Sequence, residues 1–395
     1  MALKGGPRAT QDDPRFDPRV IAFHNLIVRH PKLDDMLAEI DRWLKNPEPY
    51  LLYVLGPTGV GKSTVRKILH RRFLTRAAND PHYPNGWIPV AGYRTLPPSK
   101  GRYDHSANYL RGLRSVDEPL SDFKTLRPRP GVTVLVTGTP REDALREALV
   151  SAIDQRHVEL FWIDEAQHMA QAASAKSAKE HADLFKSLQD DVKIPVVLFG
   201  HYTLRNLEDM HGQLVRRSYP LHFARYRIDV PEEAEQFRNV LHTFQGKIPI
   251  RCEVNLVRRL EVCYQETLGC VGLLHMWLER ALVRAITEDP NGPLTWKHLK
   301  ADRRPRDERR QILDEILNGE QKFAVGVDAT AEDNALMGLD DFRSAQGQGT
   351  GAAPKTPIKL SKPARRQRRP GESYPRRRQI GMGSWEDSAK NEAPN

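Results

Sequence analysis

Apolar positions recur at helical spacing from Arg19 to Leu44: Ile21, Leu26 and Ile27, Leu33, Met36 and Leu37, Ile40, Trp43 and Leu44. Pro31 divides the run into two helices, because proline has no N–H for the helical ladder and its ring crowds the preceding turn. Asn46-Pro47-Glu48-Pro49 then breaks the pattern. The uninterrupted apolar run Leu51–Leu55, closed by Gly56, predicts a buried strand, and helical spacing resumes from Lys62 through Phe73. Trp87–Tyr93 predicts a second strand, Ser106–Arg114 a helix, and Val132–Val136 a strand or half a hairpin. Arg141–Ile153 is amphipathic. Val158–Ile163 is a strand leading into Asp164-Glu165, Ala178–Gln189 a helix, Ile194–Phe199 a strand, and Leu221–Phe223 a shorter one. Strands alternating with helices at this rhythm specify an α/β fold, a parallel sheet covered on both faces.

After Pro231 the pattern becomes helical: Glu232–Phe244, Glu253–Leu268, Val271–Thr287 and Asp307–Leu317. From about Gly326 apolar residues thin out and Gly, Pro, Ala, Gln and Arg dominate, a composition that cannot bury enough surface to fold alone. The chain therefore divides into an N-terminal helical extension (1–47), a P-loop α/β domain (48–229), a small helical lid (230–320) and a disordered Arg-rich tail (321–395).

Charge changes this picture less than its total suggests. Ten Lys or Arg against one acid between Lys355 and Arg378 supply +9 of the net +10, so the basicity belongs to the tail and leaves the rest nearly neutral. No apolar run is long enough to span a membrane. The N-terminus lacks the apolar core of a secretory signal. Three cysteines without a CxxC pair argue against a disulfide framework or zinc site and fit a reducing cytoplasm. Cys263 and Cys270 are expected to pack in the core of a helix.

The candidate chemistry starts at Gly56-Pro57-Thr58-Gly59-Val60-Gly61-Lys62-Ser63, which matches G-x-x-x-x-G-K-[ST] between a strand and a helix. Glycines there let successive backbone N–H groups face phosphate oxygens at a helix N-terminus. Lys62 supplies a cation to the β and γ phosphates of ATP, and Ser63 offers a hydroxyl to Mg²⁺. Leu160-Phe161-Trp162-Ile163-Asp164-Glu165 has the form of a Walker B strand: Asp164 to hold Mg²⁺, Glu165 to polarise the attacking water. A base beside the γ-phosphate favours ATP hydrolysis over transfer to a small acceptor. His201, after the strand Ile194–Phe199, is a candidate for orienting that water. Arg216 and Arg217 are candidates for an arginine finger reaching a neighbouring subunit's γ-phosphate.

Taken in this order, these elements resemble an AAA+ ATPase, and within that superfamily the TniB/TnsC transposition regulators. The resemblance spans roughly residues 20 to 300. It starts at Val28-Arg29-His30-Pro31-Lys32-Leu33 and takes in the P-loop through Thr64 and Ile163-Asp164-Glu165-Ala166-Gln167-His168. It continues through Phe185-Lys186-Ser187-Leu188, Ile194–Gly200 and Gln213-Leu214-Val215-Arg216-Arg217, and ends at Gly269-Cys270-Val271-Gly272-Leu273-Leu274. It implies a homo-oligomer, a ring or helical filament around duplex DNA, that links a target-selector protein to a transposase subunit; the C-terminal tail is then either a tether for the transposase, as related regulators suggest, or a loose electrostatic arm for DNA. The family spacing favours Arg217 over Arg216 as the finger. It also places Lys100, Arg102, Arg111 and Arg114 toward the DNA. The chain departs from the pattern in two ways: Gly269–Leu274 carries no lid sensor arginine, leaving His275 as the substitute, and Leu96–Pro130 has no alignable counterpart. Competing readings are a helicase-loader or origin-recognition-like ATPase, a P-loop phosphotransferase, and a nucleotide-gated adaptor that does not bind DNA.

Overall fold

In a computed structural model, the described residues are 14–48, 51–99, 103–118, 142–171, 181, 184–185, 188–205 and 218–324. The five apolar runs become strands β1 (Leu51–Leu55), β2 (Val90–Arg94), β3 (Leu160–Asp164), β4 (Val196–Gly200) and β5 (Ser218–His222), paired in parallel in the order β2-β3-β4-β1-β5. Central β1 and β4 are buried at every position, as a parallel sheet with helices on both faces requires. The twofold alternation of strand side chains divides them between two cores. Leu51, Tyr53, Leu55, Phe161 and Ile163 face one core; Leu52, Val54, Leu160, Val197 and Phe199 face the other. β5 is an edge, where Pro220 is tolerated because no strand outside it needs its missing N–H.

Helices α1 (Pro18–His24) and α2 (Pro31–Lys45) flank Pro31 as expected, with Pro31 in the first turn of α2, where its missing N–H costs nothing. The two go to different places. α2 joins α3 (Lys62–Ala78) on the sheet, whereas Val20 and Phe23 of α1 pack into the lid core. α4 (His105–Ser115), capped by Asp104, and α5 (Glu142–Gln155) cover the other sheet face; α6 (Gln167–Gln171) follows β3. The lid comprises α7 (Pro231–Lys247), α8 (Leu260–Thr267), α9 (Val271–Glu288), α10 (Trp296–Ala301) and α11 (Arg306–Ala324).

Several expectations shift. The helix expected from Glu253 starts only at Leu260, after a 3-10 turn at Val257–Arg259. Upstream of it the chain is held extended: Cys252 bridges Leu294, and Gln245 accepts a hydrogen bond from the Leu256 N–H at 2.7 Å. Cys263 and Cys270 are buried, but Cys270 is the N-cap of α9 rather than a helical neighbour of Cys263. β2 starts at Val90, not Trp87. Trp87 is exposed and its ring lies 4.1 Å from that of His157. α11 runs seven residues beyond the expected Leu317. The expected strand Val132–Val136 and most of the helix Ala178–Gln189 lie outside the described residues, as does the tail from 325 onward; of that helix, His181, Leu184 and Phe185 are helical and Leu188 opens a π-helical turn, Leu188–Val192.

Candidate nucleotide site

Parallel strands deliver their following loops to one end of the sheet, and that topology assembles the site. In register, Leu55 lies beside Gly200 and His222, and Arg94 lies beside Asp164. The P-loop, His201, the acidic pair and Arg94 thus share the carboxyl edge. Gly59 has φ +74°, a left-handed conformation that glycine adopts without Cβ strain. Gly61 caps α3 without a side chain; the Thr64 N–H turns back to the Gly61 carbonyl at 2.9 Å, and the N–H groups of Lys62 and Ser63 are left to an external acceptor. The Lys62 ammonium donates to the carbonyls of Gly56 at 2.7 Å and Pro57 at 2.8 Å. Burial pushes its pKa down to about 8, against the pull of the nearby Glu165, Asp164 and Glu315 carboxylates.

Asp164 is buried at the end of β3. Its Oδ2 accepts from Arg66 Nε at 3.0 Å, and its Oδ1 accepts from the Glu165 N–H at 3.0 Å. The Arg66 guanidinium in turn lies over the Trp162 ring, 4.4 Å from its centroid. Glu165 has φ +55°, which costs a side-chain-bearing residue about 1–2 kcal/mol. Thr95 Oγ1 holds the Glu165 carbonyl at 2.6 Å. Glu165 Oε1 pairs with Arg94 at 3.1 Å, and Oε2 accepts from Gln167 Nε2 at 2.5 Å. Burial alone would raise this carboxyl; the Gln167 hydrogen bond, with Arg94, His201 and Lys62, outweighs it and holds Glu165 below the usual glutamate range. It is therefore ionised at neutral pH, as a base must be.

Gln167 also accepts the His201 N–H at 3.2 Å, so one amide bridges the acidic pair and the end of β4. Both His201 ring nitrogens lie 3.4 Å from the Thr58 hydroxyl of the P-loop, and Nδ1 lies 3.1 Å from Glu315 of α11. The sequence reading gave no role to Arg94, Gln167, Arg66 or Glu315. Only Arg94, a cation at the end of a buried strand beside the Walker B strand, carries a local signal.

The lid meets the loop through backbone. The Gly272 N–H, in the first turn of α9, donates to the Gly59 carbonyl at 2.7 Å, and a Cβ at Gly272 would lie 2.6 Å from that oxygen. Beside this contact an apolar cleft is lined by Ile27 and Val28 ahead of α2, Val60 and Thr64 of the P-loop region, and Phe244 and Val271 of the lid. His275 Nε2 bonds the Phe23 carbonyl at 2.8 Å, tying α9 to α1, and the residue lines the same cleft as Gly61 and Thr64.

Arg216, Arg217, Lys100 and Arg102 lie outside the described residues. Arg111 and Arg114 are on α4, and Arg111 donates to the Arg94 carbonyl at 3.1 Å. Ser63, exposed in the first turn of α3, and Asp164 offer the hard oxygen ligands Mg²⁺ takes. Among the described residues no group of three or more His, Cys, Asp or Glu could hold a metal. Two oxygen donors suit only an ion that keeps waters and phosphate oxygens in its shell, as Mg²⁺ does, and Arg66 and the Glu165 N–H already engage the two Asp164 oxygens. Among the described residues no helix is long and apolar enough to cross a membrane.

Residues 46–208 match the family model of the AAA domain. This segment is an AAA-type ATPase domain. No curated protein matches the chain in sequence. Among solved structures, the chain is similar to the Walker-type ATPase PABY2304 of Pyrococcus abyssi, at 14% identity and TM-score 0.42, covering 80% of this chain and 85% of that one. It is also similar to a structure of Drosophila ORC bound to DNA, at 14% identity and TM-score 0.43, covering 88% of each chain.

Proposed function

We propose that this protein hydrolyses ATP as an assembly switch: with ATP it oligomerises on duplex DNA, and there it recruits or activates a transposase subunit chosen through a target-selector protein. One observation carries the ATPase reading: P-loop, acidic pair and His201 share one sheet edge, with Glu165 ionised and cross-linked through Gln167 to His201. The Gly59–Gly272 contact makes lid position depend on P-loop conformation, the coupling a nucleotide switch needs. The transposition reading rests on the sequence resemblance to TniB/TnsC regulators, including the tail as tether.

Within this reading Lys62 and the N–H groups of α3 hold the phosphates. Ser63 and Asp164 would hold Mg²⁺, which when bound would supply positive charge beside the phosphoryl oxygens. Glu165 draws a proton from the attacking water, and His201 orients that water. Arg94 competes for the Glu165 carboxylate, so full basicity requires that pair to loosen.

Lys62→Ala should abolish ATP binding measured by calorimetry, while Glu165→Gln binds normally and hydrolyses about 10²–10⁴-fold more slowly. Tight binding by the Lys62 variant would refute the assignment. ATPase assays with and without duplex DNA, at low and moderate salt, test the DNA half. Turnover indifferent to DNA would point to the adaptor reading instead.

A further inference from the structure

α11 is the last described element, and it lies against the phosphate end of the site rather than the lid core. Its apolar support is a small cluster, in which Ile316, Ile312 and Leu313 meet Leu268, Cys270 and Leu273, together with Phe323, which packs at the margin of the sheet core. Polar and aromatic contacts supply the rest. Glu320 receives two hydrogen bonds from Arg225, at 3.0 and 3.2 Å. Gly319 packs so closely on Tyr202 that a Cβ there would lie 1.9 Å from the ring. Phe323 stacks on His222 with ring centroids 4.4 Å apart.

The contact nearest the chemistry is Glu315–His201, and the Glu315 carboxylate also interacts electrostatically with the Lys62 ammonium. An anionic side chain thus engages the two groups that, on the proposed function, face the terminal phosphate.

We infer that α11 is a strap that closes on the nucleotide site, with Glu315 standing in for the terminal phosphate, so that ATP and the closed strap compete for His201 and Lys62. The inference rests on the ATP-binding reading and adds a discriminating residue to it. Like charges at one site cannot both be satisfied, so a terminal phosphate displaces Glu315. ADP lacks that group and leaves the His201–Glu315 pair intact.

The test uses the full chain and three proteins: wild type, Glu315→Gln, and Asp314→Asn as a control. Asp314 pairs with Arg310 on the same helix. Calorimetry with a non-hydrolysable ATP analogue and with ADP should show Glu315→Gln binding the analogue about two- to five-fold more tightly than wild type, the worth of a part-exposed ion pair. ADP affinity should not change in any of the three. Hydrogen exchange in α11 should quicken when wild type binds the analogue and stay constant with ADP. An equal gain from Asp314→Asn would show a bulk charge effect and overturn the strap, as would unchanged analogue affinity with unchanged exchange. If wild type binds neither nucleotide, the ATP reading itself fails, and the strap with it.

Discussion

A single imidazole at the start of α2 shows how tightly one residue is specified. His30 is buried, caps α2 through Nδ1 to the Leu33 N–H at 3.3 Å, and lies 3.0 Å from the Tyr226 hydroxyl. An acceptor at Nδ1 demands the neutral ring, and burial pushes its pKa down to about 4. The unfolded chain, titrating near the ordinary histidine value, then binds the proton more readily than the folded one. Stability from His30 is therefore fully present above about pH 6.5 and is lost as pH falls toward 4, by up to about 3 kcal/mol. His30→Asn keeps an N-cap acceptor but cannot titrate. Urea midpoints at pH 7 and pH 5 should fall less for the variant than for wild type. Equal falls would show that His30 is not held neutral. The Walker A and B residues were legible locally because their chemistry needs fixed spacings. The partners of Glu165 are less legible: Arg94 reaches it only through the pairing of β2 with β3, and Gln167, two residues on, bridges to His201 only because β3 and β4 are neighbours.

At the scale of elements, the lid helix α9 and the P-loop meet backbone to backbone, so their docking distance has no flexible side chain to absorb an insertion. Gly272→Ala would place a methyl 2.6 Å from the Gly59 oxygen and lift α9 away. The expected result is a loss of about 1–3 kcal/mol in urea unfolding, with at least tenfold weaker ATP binding, about 1.4 kcal/mol. Gly246→Ala in α7 is the control, since its Cβ would meet nothing within 4 Å. There the exchange should stabilise the helix by about 0.5–1 kcal/mol. Wild-type affinity in the Gly272 variant would detach lid docking from nucleotide binding. Most elements were predicted from periodicity, and the failures share a cause. Glu253–Arg259 has helical spacing, but its backbone groups are claimed by Gln245 and Leu294, partners distant in sequence.

For the whole molecule, the proposed assembly needs a finger from Arg216 or Arg217 acting in trans, and hence a head-to-tail interface that closes into rings or extends into helices. Substituting either arginine should depress hydrolysis strongly while leaving monomer nucleotide affinity intact. Mixing that variant with Lys62→Ala should restore part of the activity, since each supplies what the other lacks. A mixture as inactive as its components would exclude the trans arrangement.

The sequence by itself determined the AAA-type site and the α/β class. A P-loop is a local device, one strand, one glycine-rich turn and one helix, and the apolar runs of a sheet buried on both faces are local as well. Tertiary structure alone decided that α1 belongs to the lid core and α2 to the sheet, although the two are adjacent in the chain. It also decided that Asp164 is paired with Arg66 and Glu165 with Arg94, and that Glu315, more than a hundred residues from His201, reaches it. Such pairings depend on strand order and helix docking, which sum many weak contacts between distant segments. No residue announces them in its own neighbourhood.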